Sequence, residues 1–136
     1  MIRPIMHDPL FLAQPSEPAT AADLPVAKDL LDTLAANAQR CVGMAANMIG
    51  VRKRIIVINA GFAPVVMLNP VITARTGPYE AEEGCLSLSG VRKTTRYREV
   101  EVTWQDTSLK PRRQRFSGYA AQIIQHEVDH LSGILI

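Results

Sequence analysis

Long apolar runs are missing from this sequence, as are the marks of a secreted protein. No window approaches the run of about 18 apolar residues that a membrane span requires, and the first residues lack a basic region followed by an apolar stretch. Only two cysteines are present, Cys41 and Cys85, which is poor support for a disulfide scaffold. We therefore predict a cytoplasmic protein without membrane contact, in which at least one cysteine serves metal binding or catalysis.

An excess of one charge is also lacking. Lysine and arginine number 15 against 13 aspartate and glutamate residues, and the net charge is +2. No block of charge indicates a nucleic-acid or anionic-membrane partner. The most basic stretch, residues 92–98, alternates arginine and lysine with threonine and tyrosine, which is typical of the solvent face of a strand. A nucleic-acid surface would need residues 92–98 and 112–115 to lie on one face.

The length indicates one domain that spans residues 1–136. Its 47% hydrophobic content is enough to build a core, and no repeat or long linker divides the chain. Residues 1–22 contain four prolines and little periodicity, so we expect an irregular arm on the domain surface.

Periodicity in the rest of the chain predicts an α+β fold. Apolar residues at helical spacing indicate a helix from an N-cap at Asp23 to about Arg40. A last helix follows a cap at Ser117, runs to Leu131 and is closed by Gly133. Branched apolar residues between them predict a mainly antiparallel sheet. Its strands are predicted at residues 54–59, 65–73 (interrupted at 69–70), 91–97, 99–104 and 112–116.

The last helix carries the pattern H-E-x-x-H. His126 and His130 are four residues apart, so both imidazoles project from one helix face and can reach one metal ion. Glu127 lies between them, where a glutamate can take a proton from a water whose pKa the metal lowers. The alternative is a surface helix with two solvated histidines.

A catalytic site of this kind needs a third protein ligand besides the two histidines. No histidine, cysteine or acidic residue follows His130, so the third ligand must come from upstream. The candidates are His7, Cys41 and Cys85. Cys85 has the most suggestive setting because Gly84 lets the backbone turn tightly beside a ligand, and a thiolate with two imidazoles suits zinc, iron or nickel.

At this point the sequence resembles the peptide deformylases. Residues 83–87 (E-G-C-L-S) and 125–131 (Q-H-E-V-D-H-L) match two of the three family motifs, and residues 41–48 (C-V-G-M-A-A-N-M) resemble the third, G-x-G-L-A-A-x-Q. The resemblance covers residues 23–136. It implies a mixed, mainly antiparallel sheet packed around a central helix that bears the two histidines.

The resemblance implies a function and a role for each motif residue. The family removes the formyl group from nascent proteins that begin with formylmethionine, as the first step of N-terminal methionine processing. Cys85, His126 and His130 are then the metal ligands, and Glu127 carries a proton from the activated water to the leaving amine. The backbone N–H of Leu86 is the expected donor to the developing oxyanion.

The resemblance also implies a cofactor and partners. One divalent ion is expected, with ferrous iron as the native ion and nickel or zinc as substitutes. The expected partner is a formylmethionyl peptide. The ribosome is a further candidate, through contact of its RNA with residues 92–98 and 112–115. Glu83 is predicted to pair with Arg96 in support of the site.

Substrate-binding residues follow from the same comparison of motifs. Val42, Met44 and Ile123 are predicted to line a pocket for the methionine side chain, although each could equally be ordinary core. Gly43 is expected to pair its backbone with the peptide. Arg92 matches a family arginine near the substrate.

The sequence departs from the family pattern at the oxyanion position. The family glutamine is replaced by Met48, which cannot donate a hydrogen bond. Loss of one oxyanion donor lowers turnover by about a hundred- to a thousandfold. Cys41 stands at the first motif glycine, and Ser89 stands where a proline is usual.

Three hypotheses therefore remain at this stage. The first is an active deformylase in which Asn47 or a water supplies the missing oxyanion contact. The second is a weakly active or inactive paralogue that binds metal and formyl-peptides or the ribosome, motivated by Met48 and by the absence of a further C-terminal helix that many members carry. The third is a structural zinc module, in which Cys41 or His7 supplies a fourth ligand.

Overall fold

The computed structural model describes residues 1–61, 63–85 and 87–135, and within these residues five strands form one antiparallel sheet with three α-helices around it. The strands are β1 (Gly43–Ala45), β2 (Ile55–Ile58), β3 (Val65–Cys85), β4 (Leu88–Gln105) and β5 (Pro111–Ser117). The helices are α1 (Pro9–Leu12), α2 (Leu24–Ala36) and α3 (Gly118–Leu131). The strands lie in the order β1-β2-β3-β4-β5, and every neighbouring pair is antiparallel. The predicted α+β class and the antiparallel sheet are confirmed.

Strands β3 and β4 are much longer than predicted. They form one hairpin whose pairing runs from Leu68 opposite Gln105 to Cys85 opposite Leu88. Residues 74–85 had no strand signal because glycine, proline and glutamate are poor strand formers, yet pairing with β4 holds them extended. The break predicted between residues 97 and 99 is absent, whereas the interruption at 69–70 is present as a shift in register after Leu68.

The two long helices lie where the sequence predicts them. Helix α2 begins directly after Asp23, whose carboxylate accepts a hydrogen bond from the Thr20 backbone N–H at 2.8 Å. It ends at Ala36 rather than near Arg40, because residues 37–40 turn away from the helix. Helix α3 follows Ser117, as predicted. Among the described helices, none is long and apolar enough to cross a membrane.

Helix α3 occupies the centre of the molecule. It packs against β1, β2 and β4, and its buried face includes Ala121, Ile124 and Leu131, each fully buried in the core. Burying large aliphatic side chains of this kind contributes roughly 1.5 to 3 kcal/mol each. The same face continues into His126, Glu127 and His130. Packing of the apolar residues therefore sets where these polar side chains lie.

The N-terminal arm lies across the segments around α3. The Met6 N–H donates to the Met48 carbonyl at 2.7 Å, and the Ser16 N–H donates to the Leu131 carbonyl at 2.8 Å. The arm also contains the four-residue helix α1, which the sequence did not predict. Most residues of the arm are exposed or half-buried, and the arm is more ordered than its proline content suggested.

Replacing Gly133 with alanine is expected to destabilise the protein more than the same change at Gly90. Both glycines have positive φ, +76° and +82°, which costs an alanine about 1 to 2 kcal/mol. A Cβ at Gly133 would also lie 2.3 Å from the Ala13 carbonyl oxygen, whereas a Cβ at Gly90 meets nothing within 4 Å. Urea unfolding should therefore show a larger decrease in the free energy of unfolding for Gly133→Ala than for Gly90→Ala. Equal losses would show that the arm yields without strain.

Candidate metal centre and the cavity beside it

Three potential metal ligands converge where the end of β3 meets α3. The ligand atoms of Cys85, His126 and His130 all lie within 4.8 Å of one another. Cys85 is the last residue of β3, and the two histidines lie one helical turn apart on α3, with ring centroids 4.4 Å apart. Both histidines are buried. The fold therefore brings together Cys85, His126 and His130, which were predicted as ligands from two distant segments of the sequence.

A carboxylate orients each imidazole. His126 Nδ1 lies 2.8 Å from Glu83 Oε1, and His130 Nδ1 lies 3.0 Å from Glu127 Oε1. A carboxylate accepts the proton of the nitrogen that faces it. The tautomer with hydrogen on Nδ1 leaves the Nε2 lone pair of each ring for a metal ion.

Glu83 is held in turn by a buried arginine. Arg96 Nη2 donates to Glu83 Oε1 at 2.7 Å, and Nη1 donates to Asp129 Oδ2 at 2.6 Å. The predicted pair of Glu83 and Arg96 is therefore confirmed. The expectation that residues 92–98 form a solvent face is wrong for Arg96, which is 3% exposed. Its guanidinium turns inward because two carboxylates are available there.

Charges around the cluster favour a thiolate. Burial by itself raises the pKa of the Cys85 thiol, but hydrogen bonds with His126 and His130 outweigh burial and lower the pKa to about 6. Burial also lowers the pKa of each imidazole, yet hydrogen bonds with Cys85 and Glu83 raise that of His126 to about 9. The charge of Glu127 and the hydrogen bond with Cys85 raise that of His130 to about 11. A cation bound here takes the place of these protons, so its binding releases them.

The donor set fits a divalent transition metal. One thiolate and two imidazoles suit iron, nickel or zinc. Three protein donors leave a coordination position for water or substrate, as catalytic sites require, whereas structural sites are closed by a fourth protein ligand. Within the described part of the chain, no fourth histidine, cysteine or carboxylate joins this group.

The hypothesis of a closed structural site loses its two candidate ligands. Cys41 donates its thiol to the Gly43 carbonyl at 2.7 Å, and burial together with the charge of Glu127 raises the pKa of this thiol to about 12. His7 lies on the far side, with Nδ1 3.1 Å from the Ser87 carbonyl oxygen. Neither residue belongs to the cluster of Cys85 and the two histidines.

A cavity of about 520 Å³ opens beside the cluster. Several residues singled out in the sequence line it: Val42, Gly43, Met48, Cys85, Ile123, His126 and Glu127. One Glu127 oxygen binds His130, while the other faces β1, where a Cβ added to Gly43 would lie 3.0 Å from it. The cavity is therefore bounded by two of the candidate metal ligands, Cys85 and His126, by the Glu127 carboxylate and by the edge strand β1.

Three of the residues predicted at this site lie elsewhere or are not described. Met44 is fully buried in the core and does not line the cavity. Arg92 is also not part of the cavity wall, and its Nη1 donates to the Ser89 carbonyl at 3.2 Å. Leu86, whose N–H was predicted as an oxyanion donor, lies outside the described residues.

Asn47, one of the two predicted substitutes for the oxyanion glutamine, does not face the large cavity. Asn47 Nδ2 donates to the His130 carbonyl at 2.9 Å, and Asn47 does not line the large cavity. Met48 does line it, and the Ala45 N–H points at its sulfur at 3.5 Å. The side chain at position 48 thus reaches the predicted place without a hydrogen-bond donor.

Several residues of the cavity and its surroundings escaped the sequence analysis. Asp129 is the second partner of Arg96 and lies inside the H-E-x-x-H pattern, so its position was a usable signal. No local pattern singled out the others, although two lie on α3 and two adjoin motif residues. They are Arg40, Glu82, Gly90, Tyr119 and Gln122.

Comparison with protein families gives a match over nearly the whole chain. The model of the family described as polypeptide deformylase matches residues 2–136. A peptide deformylase of Clostridium beijerinckii is 57% identical over 136 residues, which is the full length of both chains. A peptide deformylase of Pelotomaculum thermopropionicum is 46% identical over 109 residues, 78% of this chain and 70% of that protein.

Solved structures of peptide deformylases also superpose on the chain over almost its full length. The peptide deformylase of Thermotoga maritima superposes with a TM-score of 0.89 at 30% identity, covering 99% of this chain and 95% of that one. A class I type b peptide deformylase of Acinetobacter baumannii, bound to Met-Ala-Ser, gives a TM-score of 0.89 at 28% identity and covers 99% and 97% of the two chains. The long β3–β4 hairpin and the central helix therefore belong to an architecture shared with these proteins.

Proposed function

The chain belongs to the polypeptide deformylase family. We propose on this basis that Cys85, His126 and His130 hold one divalent ion. Glu127 is the proposed base. The chain is thus a metal-dependent hydrolase of the deformylase type. The observation that carries the proposed ligands is the approach of three donor atoms within 4.8 Å at the edge of a large cavity.

The proposed substrate is a peptide that begins with formylmethionine. The cavity is large enough for a methionine side chain, and Val42 and Ile123 supply apolar walls. Strand β1 ends the sheet on the cavity side, so an extended peptide can add to its edge through Gly43. The Met-Ala-Ser complex of the Acinetobacter baumannii protein supports a short methionyl peptide as ligand.

The ion and the surrounding side chains have separate roles in the proposed reaction. When bound, the ion supplies Lewis-acid chemistry that polarises the formyl carbonyl and lowers the pKa of a water molecule. Glu127 takes the proton from that water and delivers it to the leaving amine. Glu83 and Arg96 hold His126 in one orientation. The apolar walls around Ile123 keep bulk water from the reacting carbonyl.

Ferrous iron is the native ion that we propose, and the cytoplasm is the proposed location. Ribosome binding stays a prediction. The arginines of β5 do not form a bare basic surface, because Arg112 pairs with Asp106 while Arg113 and Arg115 lie near Glu101. The buried Arg96 likewise removes one charge from the surface suggested for ribosomal RNA.

Formate release from formyl-Met-Ala-Ser tests the function directly. Protein purified without oxygen should release formate when loaded with iron or nickel, lose this activity in a chelator, and regain it when the ion is returned. Acetyl-Met-Ala-Ser serves as the control peptide, with release of the free amine measured for both peptides. A protein that binds one ion but releases no formate would contradict the hydrolase function and favour the binding paralogue. Metal analysis of freshly purified protein tests the choice of iron.

Replacing Met48 with glutamine is expected to raise kcat about tenfold or more. The glutamine oxygen can accept from the Ala45 N–H as the sulfur does now, which turns the amide N–H toward the cavity. One oxyanion donor raises turnover by about a hundred- to a thousandfold. Because the surrounding site is not adapted to glutamine, we expect the variant to gain only part of that factor. Met48→Leu is the matched control without a donor. If glutamine gives no more activity than leucine, position 48 does not limit turnover.

A further inference from the structure

Two buried oxygen atoms behind the metal centre lack a hydrogen-bond partner among the described residues. They are Asn47 Oδ1 and Ser87 Oγ, on residues that are 1% and 3% exposed. The amide of Asn47 cannot rotate to relieve its oxygen, because Nδ2 already donates to the His130 carbonyl at 2.9 Å. A buried polar atom without a partner costs about 1 to 3 kcal/mol. We therefore expect each of the two oxygen atoms to have a hydrogen-bond partner that is not a protein atom.

Both residues line the same small cavity. It leaves about 10 Å³ for the centre of a water molecule, which is close to the room that one water needs. Leu12, Ile134 and Leu135 also line it, and both oxygen atoms are buried. Cys85 and His130 form the wall toward the metal centre.

We propose that one water molecule is bound in this cavity as a structural ligand of Asn47 and Ser87. Asn47 Oδ1 can only accept, so the water donates one hydrogen to it. The Ser87 hydroxyl donates to the water or accepts from it, since a hydroxyl does either. A metal cation does not suit the cavity, because calcium and magnesium need about six or more oxygen ligands and two side-chain oxygens are offered here.

The water joins three segments of the metal centre. Ser87 follows Cys85 by two residues, and Asn47 is hydrogen-bonded to the backbone of His130. His7 holds the Ser87 backbone from the other side through its carbonyl. Asn47 and Ser87 are thus positioning residues: Asn47 holds the His130 backbone directly, and the water ties Asn47 to Ser87 and so to the segment that carries Cys85. This consequence rests on the proposed metal ligands, whereas the water site itself does not.

A crystal structure that shows ordered water tests the site. We expect a density peak about 2.7 to 3.2 Å from both Asn47 Oδ1 and Ser87 Oγ. An empty cavity, or a direct hydrogen bond between Ser87 and Asn47, would overturn the proposal. The wild-type protein suffices for this measurement, so its result does not depend on whether any variant folds.

Metal release tests the positioning role. We expect Ser87→Ala to lose nickel to a chelator about 3 to 10 times faster than wild type, somewhat less than the effect of removing a direct partner of a ligand. Ser16→Ala is the matched control. Ser16 Oγ is also buried without a partner in the described part of the chain, but Ser16 is not among the described residues that line this cavity. Equal rates in all three proteins would overturn the positioning role. A wild type that binds no nickel would instead count against the proposed ligands.

Discussion

Replacing Glu127 with glutamine is expected to lower kcat about 100- to 10,000-fold, the usual contribution of a general base. The buried carboxylate lies between the metal centre and β1, with one oxygen 3.0 Å from His130 Nδ1. Glutamine keeps the size of the side chain and an oxygen that can accept from His130. The variant therefore keeps its fold and its metal while it loses the ability to take a proton.

Formate release and metal content measured on the same sample separate the two effects. Glu80→Gln is the control for loss of one negative charge, because Glu80 is an exposed residue of β3, and its kcat should stay near that of wild type. A Glu127→Gln enzyme with full metal and wild-type kcat would show that another group is the base. Loss of metal together with activity would show that Glu127 acts through His130.

Replacing Arg96 with methionine is expected to reduce the free energy of unfolding by about 3 to 5 kcal/mol. The guanidinium is 3% exposed and donates to both Glu83 and Asp129. Burial raises the pKa of Glu83, but hydrogen bonds with His126 and Arg96 outweigh it and hold the pKa at about 2. Without the arginine a buried carboxylate loses its compensating charge. Methionine has similar length but offers no donor.

Urea unfolding of metal-saturated protein measures this loss. Arg113→Met is the matched control, since Arg113 is exposed and only 3.4 Å from Glu101 at its closest approach. A surface pair of this kind contributes at most about 1 kcal/mol. If the two variants lose the same stability, the buried network around Glu83 adds nothing beyond an ordinary surface ion pair. His126 would then need another explanation for its orientation.

The metal centre was predictable because its strongest signal is local. Histidines at positions i and i+4 share a helix face in any α-helix, so His126 and His130 could be paired before the structure was known. The third donor was an inference from chemistry, since a metal site that lacks one ligand demands another. Cys85 satisfied that demand through its motif, and the structure brings its sulfur to the histidines.

The strands and the cavity were harder to predict because their signals are not local. Residues 74–85 become a strand through pairing with β4, although their own composition argues against it. Arg96 has the sequence setting of a surface residue, and only the nearby carboxylates of Glu83 and Asp129 explain why it turns inward. Asn47 was one of two candidates for the oxyanion contact, and only its hydrogen bond to the distant His130 carbonyl shows where its amide points.

Residue types and local spacing were enough to predict the chemistry available to this protein: the proposed thiolate and imidazole donors, the proposed base between two histidines, and the lack of a donor at Met48. They also predicted helix α3, because helical periodicity and caps lie within one segment. Which side chains face the cavity, and which carboxylate orients each imidazole, became clear only from the packed fold. These choices depend on contacts between residues far apart in the chain, such as Glu83 with His126. Local patterns carry no record of such contacts.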